Sequence, residues 1–582
     1  MNDILQNSIS YVKTAKTGMT ELKTFRFSSF GKVFSLMGKK EKIALLALCI
    51  IALVSLFISS RNFYYKHTIP SPTLGGTYTE GLVGQPVYIN PVLAHTESDL
   101  SLVRLIFSGL YKYGPNGELV PDLAEDLPKI SQDQKEYTIN LKKNAKWHNG
   151  RNLTADDVIF TIQTIKDPDF KSPLKNMWLS TSVEKISDYS IKFKTKDISG
   201  PFLQNLTVPI LSKFLWNKID AQKFVLSPQN LKAIGSGPYS IKEIQTSNGK
   251  VQKINLTAYA EYYNGQAKIE TVNFSFYDTQ TDAENALQGK EISGLGAPAF
   301  GQQNNIVEKT DTTSRYIRLS QFFTIIFNTN GKNLENISLR QALALATDGK
   351  TITEAVFGDR AFAPSSPFSF TFEATNSYTF NKPDLELSKR LLEQAGWQVD
   401  EKTGQRNKKN NPLEITISSA DSLAQTKVAE ELKKAWEKLG IKILLNILAK
   451  KDLEEKNIIP RNFEVLIIPL KIGADPDPFF YWHSSQAKAP GLNLSGLQNQ
   501  AVDKLISEAR TTTDTKIRAE KYSELEKLIS SQYAAVFLNQ SAYIYNLDKD
   551  IKNFNSELLL EPSMRMYDLP NWYLETKRVW GK

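Results

Sequence analysis

The run Ile43–Ser60, IALLALCIIALVSLFISS, is eighteen residues long without a charge, bounded by Lys39, Lys40 and Lys42 before it and Arg61 after it. A helix rises about 1.5 Å per residue, so this run covers roughly 27 Å, close to the hydrocarbon thickness of a bilayer. It predicts one transmembrane anchor at 43–60. The arm 1–42 carries eight Lys or Arg against the acids Asp3, Glu21 and Glu41. Positive flanks stay in the cytoplasm, so the expectation is a single-pass cell-membrane protein with a basic cytoplasmic N-terminus and a large extracytoplasmic domain. Cleaved signals have an apolar core of about 7–15 residues and a small-x-small exit. Here the core is longer and the exit Phe57-Ile58-Ser59-Ser60-Arg61 fits poorly, which favours an uncleaved helix. Cys49, the one cysteine, lies inside the run behind bulky Leu48, so it is a poor lipidation site and no intrachain disulfide can form. The exported part must fold on its core alone.

The formal charge of +9 does not point to nucleic acid. Eight cations against three acids put +5 of it in residues 1–42, leaving +4 spread over the rest, a dispersed excess rather than a stripe that tracks phosphates. The four histidines, His67, His95, His148 and His483, show no metal-ligand spacing, and neither HExxH nor Gly-x-Ser-x-Gly occurs. Ile234-Gly-Ser-Gly-Pro-Tyr239 lacks the spacing of a phosphate loop. No catalytic residue, metal site or cofactor is expected, and the chain does not read as an enzyme.

After the anchor, 61–74 carries Pro70 and Pro72 with no apolar period and reads as a short tether. Thr77–Val83, Val251–Ala258, Thr271–Tyr277 and Gln321–Asn328 read as strands, and Asp99–Tyr111 as a helix with Leu102, Ile106 and Leu110 on one face. Tyr137–Leu141 alternates as a strand, Trp147-His-Asn-Gly150 turns, and Thr154-Ala-Asp-Asp157 caps a helix, so Asp156 and Asp157 read as helix-start residues and not a catalytic pair. From Leu385 to Leu470 strands alternate with helices: a helix from Asp384 to Gly396, the strand Leu413–Ile417, a helix with Val428, Leu432, Trp436 and Leu439 closed by Gly440, then the strands Ile441–Ile447 and Phe463–Leu470. That grammar implies an α/β sheet covered by helices. Late helices at 499–509 and 515–530 precede a strand at 534–538.

The succession of motifs resembles the peptide/nickel-binding class of extracytoplasmic solute-binding proteins, family 5, the receptors of ABC importers. The resemblance rests on YTINLKKNAKWHNGRNLTADDVIFTI at 137–162, GLVGQPVYINPVLA at 81–94, LIFSGLYKY at 105–113, GSGPYSIKE at 235–243, LRQALALATD at 339–348, GADPDPFFYWHS at 473–484 and AVDKLISEAR at 501–510. It implies a three-lobed periplasmic-binding-protein-like α/β fold in which lobes I and III close on a two-strand hinge. Lobe I would be 71–111 with 206–315 and 545–582, lobe II 112–205, and lobe III 316–544. Ligand contacts are expected where the strand ending at Leu470 runs on, at Leu470, Lys471, Ile472, Asp475, Tyr481 and Trp482, since sites in open α/β sheets lie beyond strand carboxyl ends. Peptide-binding relatives place an acid three positions before the first Asp of Asp-Pro-Asp, to pair with the peptide's amino terminus; Ile472 stands there in this chain. The implied function is a membrane-anchored, monomeric receptor that binds a peptide or other small solute and delivers it to ABC permease subunits. The alternative is a tethered sensor or scaffold of the same fold with no transport role.

Overall fold

The computed structural model describes residues 35–580 apart from 116, 299–311, 365–367, 369–381 and 474; most of the basic arm expected at 1–42 thus lies outside the described residues. The chain divides into two compact units, 1–71 with 576–582, and 72–575.

In the first unit the apolar run sits inside a longer helix, Lys39–His67, none of whose side chains is buried. Arg61-Asn-Phe-Tyr-Tyr-Lys-His67 contains no breaker, so the helix passes the last apolar residue and ends before Thr68-Ile-Pro70. Thr68–Pro72 then pairs with the C-terminal strand Thr576–Trp580. Arg578 fastens the junction, its Nε donating to Thr68 Oγ1 at 2.8 Å and a terminal nitrogen to the Tyr65 carbonyl at 2.9 Å. The segment 61–74 is therefore not an irregular tether, and 576–580 forms a separate ribbon rather than part of lobe I.

The second unit is organised by a twelve-stranded sheet among the described residues. Its centre is two long antiparallel strands, Thr312–Phe327 and Ala535–Asp548. Their outer halves, Thr312–Arg318 against Ala542–Asp548, continue through Gly294–Pro298 to Thr77–Val83, Thr271–Tyr277, Lys250–Ala258 and Tyr239–Ser247. Their inner halves, from Phe322 and up to Gln540, continue through Val465–Lys471 to Glu414–Ala420 and Lys442–Leu448. The register slips between Arg318 and Phe322, where the strands pass from one half of the unit to the other. A slip interrupts the ladder and bends the strands, so the two halves join at a bent two-stranded ribbon.

The cores fall on either side of this joint. One core runs from Tyr78 to Trp572 and takes in Tyr137, Trp147, Trp178 and Phe193 as well as Tyr239 and Phe274; the stretches expected as lobes I and II thus share one interior. Beyond the joint, lobe III has a core on each face of its sheet. Strand alternation divides them: Phe323, Ile325 and Phe327 point to one, Phe322 and Ile326 to the other.

Local signals act as their chemistry dictates. Thr154 and Asp157 form a capping box on the helix Ala155–Lys166. Buried Asp157 also accepts from Lys213 N at 2.9 Å, which ties the helix start to the segment at 213. Gly440, with φ +77°, follows the helix Leu423–Glu437, and a Cβ there would meet the Gly404 carbonyl at 2.7 Å. The helix expected over 99–111 stops at Ile106, capped by Thr96. The chain turns at Ser108-Gly109, where Gly109 bridges to Pro209, and Tyr111–Tyr113 becomes a strand.

Candidate ligand site

A cavity of about 730 Å³ lies between lobe III and the block of lobes I and II. One wall is built by the end of Val465–Lys471 and the turn after it. The facing wall comes from the helix Glu97–Ile106, from Asn176 and Met177, from 199–209 and from 560–567.

Lys471, Ile472, Asp475 and Tyr481 line this cavity. Lys471 is the last residue of its strand, in register with Gln321, and its carbonyl accepts from the Tyr481 hydroxyl at 2.8 Å. Ile472 is buried, and its backbone is held twice by Ser320, whose carbonyl accepts from Ile472 N at 3.0 Å and whose hydroxyl donates to the Ile472 carbonyl at 2.6 Å. Leu470 and Trp482 are not among the residues that line this cavity. Period-two alternation turns Leu470 away from Lys471, into the lobe III core, where Trp482 packs on Phe368 and Phe537 with ring centroids 6.2 and 6.4 Å away. In the short helix Phe479–Trp482 it is Phe480 and Tyr481 that face the cavity.

Five of the six charged side chains that line the cavity are ion-paired. Asp475 is buried, ion-paired with Arg518, and accepts from the Tyr522 hydroxyl at 3.1 Å. Asp477 lies 3.4 Å from Arg510 Nε; burial pushes its carboxyl above the usual range and the Arg510 guanidinium only partly offsets this. Arg510 in turn stacks over the Phe479 ring at 4.1 Å. On the opposite wall Arg104 is ion-paired with Glu561 and lies over the Tyr567 ring at 5.0 Å. Arg104, Arg510 and Glu561 were not singled out from the sequence, because their partners are distant in the chain. A charge at 104 within the apolar last turns of its helix, Leu102-Val-Arg-Leu-Ile106, was the one available signal.

Lobes II and III also touch beside the cavity. Gly200 N donates to the Arg510 carbonyl at 2.9 Å, and the Gln134 side-chain oxygen accepts from both Thr513 N and Thr513 Oγ1 at 2.8 Å. Gly200 makes this approach possible: a Cβ there would stand 2.6 Å from Arg518 Nε and 2.7 Å from the Thr512 carbonyl. Among the described residues no group of three or more His, Cys, Asp or Glu side chains is placed to hold a metal ion. His148 is built into the lobe I/II interior: Gly235 N donates to its Nδ1 at 3.2 Å and its Nε2 donates to the Gly237 carbonyl at 3.0 Å.

The family model for bacterial extracellular solute-binding proteins, family 5, matches residues 118–491, more than half of the chain. The chain belongs to this family. The family 5 protein is 25% identical over 556 residues to the oligopeptide-binding protein AppA of Bacillus subtilis, covering 92% of this chain and 99% of that one. It is 25% identical over 508 residues to the dipeptide-binding protein of Escherichia coli, covering 81% and 90%. Among solved structures it superposes on the Bacillus subtilis AppA complex with a nonapeptide at a TM-score of 0.65 and 25% identity, covering 87% of this chain and 100% of that one. The ABC transporter substrate-binding protein CtaP of Listeria monocytogenes matches at a TM-score of 0.74 and 24% identity, covering 86% and 100%, a likeness of fold. The three-lobed fold expected from the sequence is the fold of this family 5 protein.

Proposed function

We propose that this family 5 protein is the membrane-anchored receptor of an ABC importer, binding a peptide or peptide-like solute in the interlobe cleft and passing it to permease subunits. The observation that carries the reading is the cavity of about 730 Å³ walled from both sides of a two-strand joint. That size is ordinary for a small-solute site, about 300–1,000 Å³, and a solute touching both walls favours the closed arrangement by its contacts alone. Two relatives bear the names oligopeptide-binding and dipeptide-binding protein, and one solved relative holds a nonapeptide. Lys471, Ile472, Asp475 and Tyr481 are the lobe III residues assigned to the site.

The helix Lys39–His67 is long and apolar enough to cross a membrane. In this proposal it is the anchor, with Phe63, Tyr64 and Tyr65 at the outer interface, where amphipathic rings settle, and the basic arm in the cytoplasm. Confinement beside a permease raises the receptor's effective concentration without new contacts. Titration calorimetry of the full chain in nanodiscs against di- to nonapeptides, metal chelates and oligosaccharides tests the solute: heat with peptides supports the proposal, and silence toward peptides overturns it. Topology is tested in a Cys49→Ala background with single cysteines at 30 or 130; the second alone should react with an impermeant maleimide on intact cells. Replacing the anchor by a cleavable signal should lower peptide uptake and leave affinity unchanged.

A further inference from the structure

The cleft wall carries six charged side chains: Arg104, Lys471, Asp475, Asp477, Arg510 and Glu561. All three acids are engaged by guanidinium groups, Glu561 by Arg104, Asp475 by Arg518 and Asp477 by Arg510. Lys471 is the remainder. It is exposed, its backbone is fixed by the ladder to Gln321 and by the Tyr481 hydroxyl, and among the described residues its Nζ has no carboxylate within 4.0 Å and no hydrogen-bond partner. The next side chain, Ile472, adds only apolar surface. A solute ammonium at this strand end would face a like charge with no open acid beside it, whereas a carboxylate would gain a charge-assisted bond to a lysine that pays no internal partner to leave.

We infer that Lys471 is a specificity-determining residue that receives a carboxylate of the bound solute, so that the cleft selects solutes by an anionic group and not by a free amino terminus. The inference rests on the cleft being the solute site. The carboxylate is either a peptide's terminus or an Asp or Glu side chain. Glu561 does not reverse the polarity: its carboxylate is shared with Arg104, a pair that is neutral in sum.

The test is calorimetry on the full chain in nanodiscs with a mixed-sequence pentapeptide pool in matched forms: free termini, N-acetylated, C-amidated, and C-amidated with every Asp and Glu replaced by Asn and Gln. Removing all carboxylates should weaken binding at least tenfold, while N-acetylation should change it less than twofold. Loss already on C-amidation assigns the terminus; loss only on the Asp/Glu replacement assigns the side chain. Lys471→Met should erase the discrimination and Lys471→Arg should keep it. Equal affinity for the acid-free pool, a larger loss on N-acetylation than on amidation, or undiminished discrimination in Lys471→Met overturns the inference while leaving peptide binding in place. Silence of every pool overturns the peptide reading and the inference with it.

Discussion

Two arginine-centred networks in the large unit use the same side chains in different surroundings. Inside lobe I, Arg565 lies 2.9 Å from Glu97, donates to Glu80 at 3.1 Å through Nε and to the Pro562 carbonyl at 2.7 Å, while the Tyr545 hydroxyl donates to Glu80 at 2.7 Å. The side chains of Arg565 and Glu80 are 0% exposed. In the cleft wall, Arg518 meets Asp475 and Tyr522 with the same acid–arginine–tyrosine chemistry, but Asp475 borders the cavity. The interior network can only hold structure together, because no solute reaches it. The wall network does that too, and by occupying Asp475 it leaves Lys471 as the unmatched charge lining the cavity.

The comparison breaks most sharply at Arg565. Replacing one member of a fully buried pair leaves a stranded charge, and Arg565→Met should cost about 3–5 kcal/mol. Trp572, with ring centroids 5.6 Å from Tyr78 and 6.3 Å from Tyr545, reports it as an earlier fluorescence transition in urea. Solute affinity of the folded protein should stay within twofold of wild type. A matching loss of affinity would show that the interior network also shapes the cleft.

The next effect tests the same interior by pH. Burial pushes His148 down to about 4 from an ordinary value near 6.5. Between those values the unfolded chain binds a proton that the folded one does not, so stability present above about pH 6.5 is lost as the pH falls toward 4, by up to about 3 kcal/mol. His148→Gln, which keeps a donor for the Gly237 carbonyl, should flatten that part of the stability-versus-pH curve. An unchanged slope would mean that some other group carries it.

At the wall the expected stability effect is smaller and the functional one larger. Arg518→Met leaves Asp475 with Tyr522 and a cavity from which water can hydrate it, so the cost should be about 2 kcal/mol. The freed carboxylate also offsets the charge of Lys471 on the same wall. The preference for free-acid over amidated pentapeptides should therefore fall at least threefold, which Arg565→Met should not produce. If both variants left the preference alone, the division between the two networks would collapse.

What the sequence revealed follows the range of the interactions. Thr77–Val83, the Thr154 cap and the helix from Thr515 are set by neighbours within a few residues, and each was read from the chain within a residue of its place. The final strand is expected at 534–538 from the sequence, yet it runs over Ala535–Asp548, straight through the polar triplet Asn539-Gln540-Ser541. Those three polar residues are at most 1% exposed, and Gln540 donates to the Leu319 carbonyl at 3.2 Å across the joint between the halves. At the cleft, alternation beyond the strand end was the missing step that separated Lys471 from Leu470. The wall pairs were invisible for a different reason: Arg104 and Glu561 are joined only by tertiary structure, and so are Asp475 and Arg518.

The smallest expected effect is at the rim, where lobes II and III meet. Gly200 N donates to the Arg510 carbonyl, and the residue after next on that side, Thr512, would be struck by any Cβ at 200. A side chain at 200 would also press on Arg518, whose Nε lies 2.6 Å from such a Cβ, so the variant that loosens the rim without touching either arginine network is Gln134→Ala. Stability should stay within about 0.5 kcal/mol, as for changes away from packed features. Closure would lose the two bonds between Gln134 and Thr513, each of about 0.5–1.5 kcal/mol, part of which water repays. Affinity for the free-acid pentapeptide pool should fall roughly fivefold, the equivalent of about 1 kcal/mol, with the preference for the free acid intact, because Lys471 and its surroundings are untouched. A change in preference instead of affinity would mean that the rim sets the polarity of the cleft, and the distinction between wall charge and closure contact would have to be redrawn.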